Sequence, residues 1–252
     1  MIEFIRDTYT VLWADLRVLR HRITRTLATS LMTPILYLLA FGYGLGRGIT
    51  FNGYSYLDFV VPGIIALTAM TNSFAGAGSK LHVDRLFYRC FDEILMAPIS
   101  TSAIVLGKAL VGVIRGLISS LAMFVAGAIA SPKLLFSPLL PMFIFALFLS
   151  CLTFAFLGEL IGLTAKSHED MNTFSNLILL PMTFLSGTFF SLDGVPEILR
   201  IALYFLPLTH SSMCLRAAAL NQPFPWFSLA ALGIYCLTFF VACTLSIRRH
   251  GS

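Results

Sequence analysis

Five histidines, five cysteines and a few charges in apolar surroundings are the residues from which this chain could build chemistry. His21, His82, His168, His210 and His250 all fall outside the long apolar runs, and none belongs to the H-E-x-x-H pattern of a zinc hydrolase. Ser167-His168-Glu169-Asp170 places a hydroxyl, an imidazole and two carboxylates in sequence, but such a run more often opens a helix than forms a catalytic group. His210-Ser211-Ser212 could touch a substrate, and capping the next helix is the simpler role. Cys90, Cys151, Cys214, Cys236 and Cys243 include no C-x-x-C pair, so neither a disulfide nor a metal site is expected. An ATP-binding loop needs G-x-x-x-x-G-K-[ST]; here Gly107-Lys108 is followed by Ala109, and Ser102 stands where the first glycine belongs. No catalytic residue and no cofactor are therefore expected on this chain.

Arg115 and Glu159 are different, because each lies within an apolar run. Lys108 and Lys166 mark one interface; Arg115 is seven residues beyond the first and Glu159 seven before the second. At ~1.5 Å per residue both sit roughly 10 Å deep. An unpaired charge in a membrane costs about 2.5–3.5 kcal/mol on insertion scales. The spacing predicts an Arg115–Glu159 pair between adjacent antiparallel helices, acting as a lock or a gate. The alternative has Arg115 reaching back to the interface and Glu159 neutral in a polar pocket. Thr68 and Asn72 could line a pathway, or bond between helices.

The elements that must position these groups are membrane helices. Hydrophobic residues make up 58% of the chain and charged ones 12%, against roughly 25% charged in ordinary soluble domains; the mean hydropathy is +0.87. The net charge of +5 does not point to nucleic acid, because the basic residues flank apolar runs. Spans are expected at about 27–46, 57–78, 105–130, 138–164, 171–190 and 227–247, each near the ~20 residues a bilayer requires. With the N-terminus inside, Arg6, Arg17, Arg20, Arg22, Arg25, Lys80, Arg85, Arg89, Lys108, Lys166, Arg248 and Arg249 are cytoplasmic, and only Arg47, Lys133, Arg200 and Arg216 are external. That imbalance predicts both termini in the cytoplasm. Residues 2–20 read as an amphipathic helix on the membrane surface, with Ile5, Tyr9, Leu12, Trp13 and Leu16 on its apolar face. Pro34 and Pro62 predict kinks, and the glycines of 42–48 predict close packing at a helix end. The expectation is one all-α domain over 1–252.

Two connections stand out. Ser79–Ser100 mixes charge with exposed bulk (Leu86, Phe87, Phe91, Ile94, Leu95), which suits either lipid or a docking partner. Leu180–Arg216 breaks at 191–194, and the apolar face that follows ends at Pro207, too short to cross a bilayer. It suits a segment that dips in and turns back, with Asp193 and His210 on one side.

Three sets of residues carry a resemblance. Phe87-x-Arg89 with Asp92-Glu93-x-Leu95-x-x-Pro98 resembles the coupling-helix motif of ABC-2 type transporter permeases. Tyr54-Ser55-Tyr56-x-x-Phe59-x-x-Pro62-Gly63 is similar to the start of their second span. Leu185-Ser186-Gly187-Thr188-Phe189-Phe190, with Pro196 and Leu206-Pro207-Leu208, resembles the signature of their last external loop, a re-entrant hairpin in that family. One departure is Phe91-Asp92, where many members place Gly-Thr before the acidic residue.

The resemblance implies the multi-pass permease subunit of a bacterial inner-membrane exporter of the drug, nodulation-factor or polysaccharide type. It implies a homodimer with two copies of a separate ATPase that carries the ATP and magnesium, and an amphipathic or lipid-linked cargo. Phe87, Arg89, Asp92, Glu93, Leu95 and Pro98 would couple to the ATPase; Gly187, Phe189, Phe190, Gly194 and Pro207 would build the hairpin. An ion-coupled secondary transporter using Glu159 and Arg115, and an intramembrane lipid-modifying enzyme, remain as alternatives.

Overall fold

The computed structural model describes residues 2–46, 50–51, 54–131, 137–191 and 194–250. Arg47, Gly48, Lys133 and Asp193, on which parts of the expected topology rest, lie outside these residues. Helix α1 (Ile2–Tyr37) passes into a π-helical turn, Leu38–Leu45, and a short ladder of β1 (Thr50–Phe51) and β2 (Tyr54–Ser55) leads to α2 (Tyr56–Phe74). A second π-helical turn, Ala75–Ser79, joins α2 to α3 (Lys80–Leu86), followed by α4 (Cys90–Met96), α5 (Thr101–Ala130) and α6 (Leu140–Thr164). Then come α7 (His168–Leu185), α8 (Glu197–Tyr204), α9 (Pro207–Ala219) and α10 (Trp226–His250).

Local sequence explains the helix starts. The Ser55 amide donates to Asp58 Oδ2 at 3.2 Å, three residues on, and opens α2. Ser167 Oγ accepts from the Asp170 amide at 3.0 Å. The Ser-His-Glu-Asp run is thus the capped start of α7. Pro207 begins α9 rather than ending a helix, a correction to the expected hairpin: its missing N–H costs nothing in a first turn.

Tyr56–Leu86, Thr101–Ile129, Leu140–Thr164 and Trp226–Arg249 are long and apolar enough to cross a bilayer. Two bent pairs reach that length only jointly: Glu3–His21 with Thr24–Gly42, at 79°, and Glu197–Tyr204 with Pro207–Ala219, at 92°. The protein is an all-α membrane protein with four such helices, or up to six if each pair counts as one span. Several expected boundaries shift. The sharp bend of α1 falls at residues 22–23 rather than at Pro34, and α2 continues through Pro62. The expected loop 79–86 is instead the helical end of the rod that begins at Tyr56. The expected span 171–190 is α7, whose first half holds His168, Glu169, Asp170, Asn172 and Asn176 and which is not apolar enough to qualify alone. The start of α7 and the residues just past its end nevertheless lie far apart along the rod formed by α2 and α3: the His168 ring is 5.9 Å from that of His82, and Thr188 meets Gly63. The nineteen-residue step from Gly63 to His82 corresponds to about 29 Å.

Helix α2 is the centre of the fold, and every residue from Asp58 to Met70 is buried. Glycines bring its Phe74 end, and the π-helical turn that follows, against α5 and α6. A Cβ on Gly112 would lie 2.6 Å from Ser73 O, and one on Gly162 would lie 2.6 Å from Gly78 O. Gly158 meets the Phe74 backbone in the same way. Lipid tails are as apolar as leucine, so such helices gain by close van der Waals packing, which small residues permit.

Candidate functional site

Four features could carry function, beginning with the end of the rod at Leu86. There Arg89 adopts φ 54°, ψ 12°, so the chain turns sharply between α3 and α4. Phe91 inserts into the core, and Ile94 and Leu95 pack against it. Phe87 and Met96 are left 83% and 86% exposed, with Leu86 and Tyr88 also open. Exposed Arg89, Asp92, Glu93 and Pro98 surround them. Arg85 donates to the carbonyls of Leu163 and Ala165, which ties this tip to the end of α6.

Behind the tip lies a cluster of four charges. Lys108 Nζ, from α5, is 2.8 Å from both Asp15 Oδ2 of α1 and Asp84 Oδ2 of α3. Lys80 Nζ is 2.8 Å from Asp84 Oδ1 and 3.2 Å from Asp15 Oδ1. Asp15, Asp84 and Lys108 are buried. Two positive and two negative groups therefore balance where three helices meet, which is what makes burying them tolerable.

Arg115 and Glu159 do not pair, contrary to the equal-depth argument. Both Glu159 carboxylate oxygens are buried without a hydrogen-bond partner, as is Arg115 Nε, and no ion pair joins the two residues. The two side chains leave their helices in different directions. Gly112 and Gly116 turn one side of α5 toward α2, so Arg115 passes Gly76 into a groove between α1, α2 and α7. Glu159, beside Gly158, lies toward Lys108 and Cys243. Asn72 lines the groove with Arg115; Thr68 is fully buried, its hydroxyl donating to Ile64 O at 2.7 Å, and does not.

At the Tyr56 end, both roots of the α8–α9 pair are held by β2 and the first turn of α2. Tyr56 Oη donates to Phe189 O at 2.8 Å, and Tyr54 Oη to Leu220 O at 3.1 Å. Arg216 Nε donates to Phe59 O at 3.1 Å and another of its nitrogens to Gly187 O at 2.9 Å, with its guanidinium 3.7 Å from the Phe59 ring centre. Arg216 thus satisfies carbonyls freed where the helix stops, at Gly187 with φ 69°. Phe189 stacks on Phe41 at 4.3 Å, Phe190 is half-buried and Gly194 is exposed. The elbow reaches inward: Tyr235 Oη donates to Phe205 O at 2.9 Å, and Ser150 and Ser211 hydroxyls meet at 2.6 Å. Tyr235 is nine residues into α10 and Ser150 ten into α6, so the elbow lies about 14 Å from that end.

Residues 6–220 match the family ABC-2 type transporter. The chain belongs to that family. Similar proteins include the inner membrane transport permease YadH of Escherichia coli (strain K12), 29% identical over 240 residues that cover 91% of each chain. Nodulation protein J of Rhizobium leguminosarum bv. viciae is 27% identical over 224 residues, 88% of this chain and 86% of that one. That of Neorhizobium galegae is 28% identical over 229 residues, 89% and 86%.

Within this ABC-2 permease, sequence reasoning missed Asp15 and Arg216. Asp15 lies within the stretch expected to form an amphipathic surface helix; its burial depends on Lys108, 93 residues away. Arg216 had been counted as an external charge, yet it is a structural donor to backbone. One signal was available for Asp15: it follows Val11 by four residues, and a Cβ on Gly107 would lie 2.7 Å from Val11. That stripe of α1 faces protein, while Ile5, Tyr9 and Trp13 are exposed.

Proposed function

We propose that this chain is the membrane-embedded permease subunit of an ATP-driven exporter in a bacterial inner membrane, moving an amphipathic or lipid-linked cargo. A separate ATPase hydrolyses the ATP and docks on α3–α4, two copies serving a homodimer. Six spans in one domain are the reading adopted: α1 beyond its bend, α2–α3, α5, α6, α7 and α10. The N-terminal part of α1 lies in the cytoplasmic interface, both termini are cytoplasmic, and α8–α9 is a re-entrant hairpin from the outside. In support, both hairpin roots contact Tyr54–Phe59, and α10 starts six residues after Leu220. Family membership favours this reading over the ion-coupled and enzymatic alternatives.

The observation that carries it is the exposed apolar tip at Phe87, Tyr88 and Met96, held on a rod braced to α1, α5 and α6. Large apolar side chains rimmed by charge are what an interface hot spot is made of. A rigid mount lets a push there move the helices behind it. Support for the homodimer comes from α7, which exposes Asn172, Thr173 and Asn176 about 6–12 Å along its length. Such groups are unfavourable toward lipid and suit a second copy or a hydrated path.

Docking is tested with the chain and its ATPase in proteoliposomes. Phe87→Ala combined with Met96→Ala is expected to lower cargo-stimulated ATP hydrolysis at least tenfold, with normal insertion. Unchanged stimulation removes the tip from the mechanism. Leu95 is unsuited to this test, because it packs on the core and its truncation would disturb the fold.

Topology has its own test. His210 is 3% exposed, so a cysteine there would not report sidedness. Gly194→Cys and Gln222→Cys, in a background without native cysteines, are both expected to react with an impermeant maleimide added outside. Reaction of only one of them makes α8–α9 a span.

A further inference from the structure

The groove that receives Arg115 has the chemistry of an anion site. It measures about 260 Å³ and is lined by Thr29, Ser30 and Thr33 of α1, Thr71 and Asn72 of α2, and Thr183 of α7. Arg115 is the only charged residue in that lining. Its side chain makes no ion pair or hydrogen bond among the described residues, and Nε is buried without a partner. Ser30 Oγ is likewise buried and unpartnered. By contrast, the hydroxyls of Thr29, Thr71 and Thr183 spend their protons on carbonyls of their own helices. A guanidinium and a buried serine hydroxyl are therefore among the free donors in the groove, and no carboxylate in its lining takes them.

Guanidinium remains charged in any protein environment and presents a planar fork of N–H donors that matches a phosphate. Leaving it unpaired within the bilayer is costly, so an intramembrane cation with free donors marks a ligand or a partner. Its depth narrows the choice. Arg115 is fourteen residues into a thirty-residue helix, about 21 Å from the start. An anion reaches that level most readily when it is attached to something that enters the membrane. The volume lies below the roughly 300–1,000 Å³ of sites for whole drug-sized molecules, and so suits a headgroup with its tails outside.

We propose that this groove binds the phosphate group of an amphiphile, with Arg115 and the Ser30 hydroxyl donating to its oxygens. The inference rests on the transport reading and narrows the cargo to phosphate-bearing amphiphiles.

The test uses the full-length chain in a phosphate-free maltoside detergent. Phosphatidic acid with a fluorescent tail is titrated in, and diacylglycerol with the same tail serves as control. Wild type is expected to bind the phosphatidic acid at least tenfold more tightly, the effect of about one charge-assisted hydrogen bond. Arg115→Gln abolishes the preference, Arg115→Lys keeps part of it, and Ser30→Ala weakens it. Displacement by millimolar inorganic phosphate assigns the site to any phosphate group; resistance assigns it to phosphate carried on a lipid. Equal affinities for the two lipids in wild type overturn the proposal without reliance on any variant. So does a folded Arg115→Gln protein that keeps the preference. No ATPase takes part, so failure here leaves the docking result standing, and failure of docking leaves this binding untouched.

Discussion

Gly158→Leu is expected to abolish recovery of folded protein, read as loss of the monodisperse peak in size-exclusion chromatography. A Cβ at this position would lie 3.0 Å from Phe74 Cα and nearer still to the Phe74 carbonyl oxygen. These are backbone atoms of the central helix, so the clash cannot be relieved by turning a side chain. Overpacking of ordinary cores costs about 1–3 kcal/mol, and here the addition separates α6 from α2 along a seam that Gly78 and Gly162 also form. Gly158→Ala adds the clashing Cβ alone, so its yield should also fall sharply, though less than that of the bulkier leucine variant. Wild-type yield from the leucine variant would mean that α2 and α6 do not pack as described.

Removal of Lys108 comes second in expected effect. Lys108→Met leaves Asp15 and Asp84 buried, with Lys80, the more exposed of the two lysines, as their only cation among the described residues. Breaking a buried ionic group by deleting one member costs about 3–5 kcal/mol, chiefly through the uncompensated charge left behind. A large drop in thermal stability in detergent is therefore expected. Lys108→Met with Asp84→Asn should recover part of it, because one of the orphaned charges is removed; the double variant then loses less than the sum. Additive losses would mean that the 2.8 Å contacts do not couple energetically. The same cluster joins the docking tip to α1 and α5, so Lys108→Met that remains folded should also show weakened ATPase stimulation under the docking proposal.

Composition and the length of the apolar runs determined that this is a helical membrane protein. Only helices and closed barrels satisfy every backbone group in lipid, and runs of about 20 apolar residues suit helices rather than the shorter alternating strands of a barrel. The motif residues at 54–63, 87–98 and 185–208 were enough to suggest the family that residues 6–220 match. Position along a helix was legible too, since each residue advances it by 1.5 Å, and Arg115 and Glu159 do lie within the long apolar helices α5 and α6. What sequence could not supply was rotation. Each residue turns a helix by about 100°, and the face it presents depends on which side its neighbours occupy. Glycines set that in three dimensions: Gly112 and Gly116 against α2, Gly158 and Gly162 against Phe74 and Gly78. Arg115 was thereby turned into a polar groove and Glu159 toward Lys108, and the expected pair did not form. Asp15 and Arg216 were hidden for the same reason, since Asp15 meets Lys108 and Arg216 meets Phe59 O only once distant segments fold together. Local signals place a residue along its helix; only the packed tertiary structure decides what it faces.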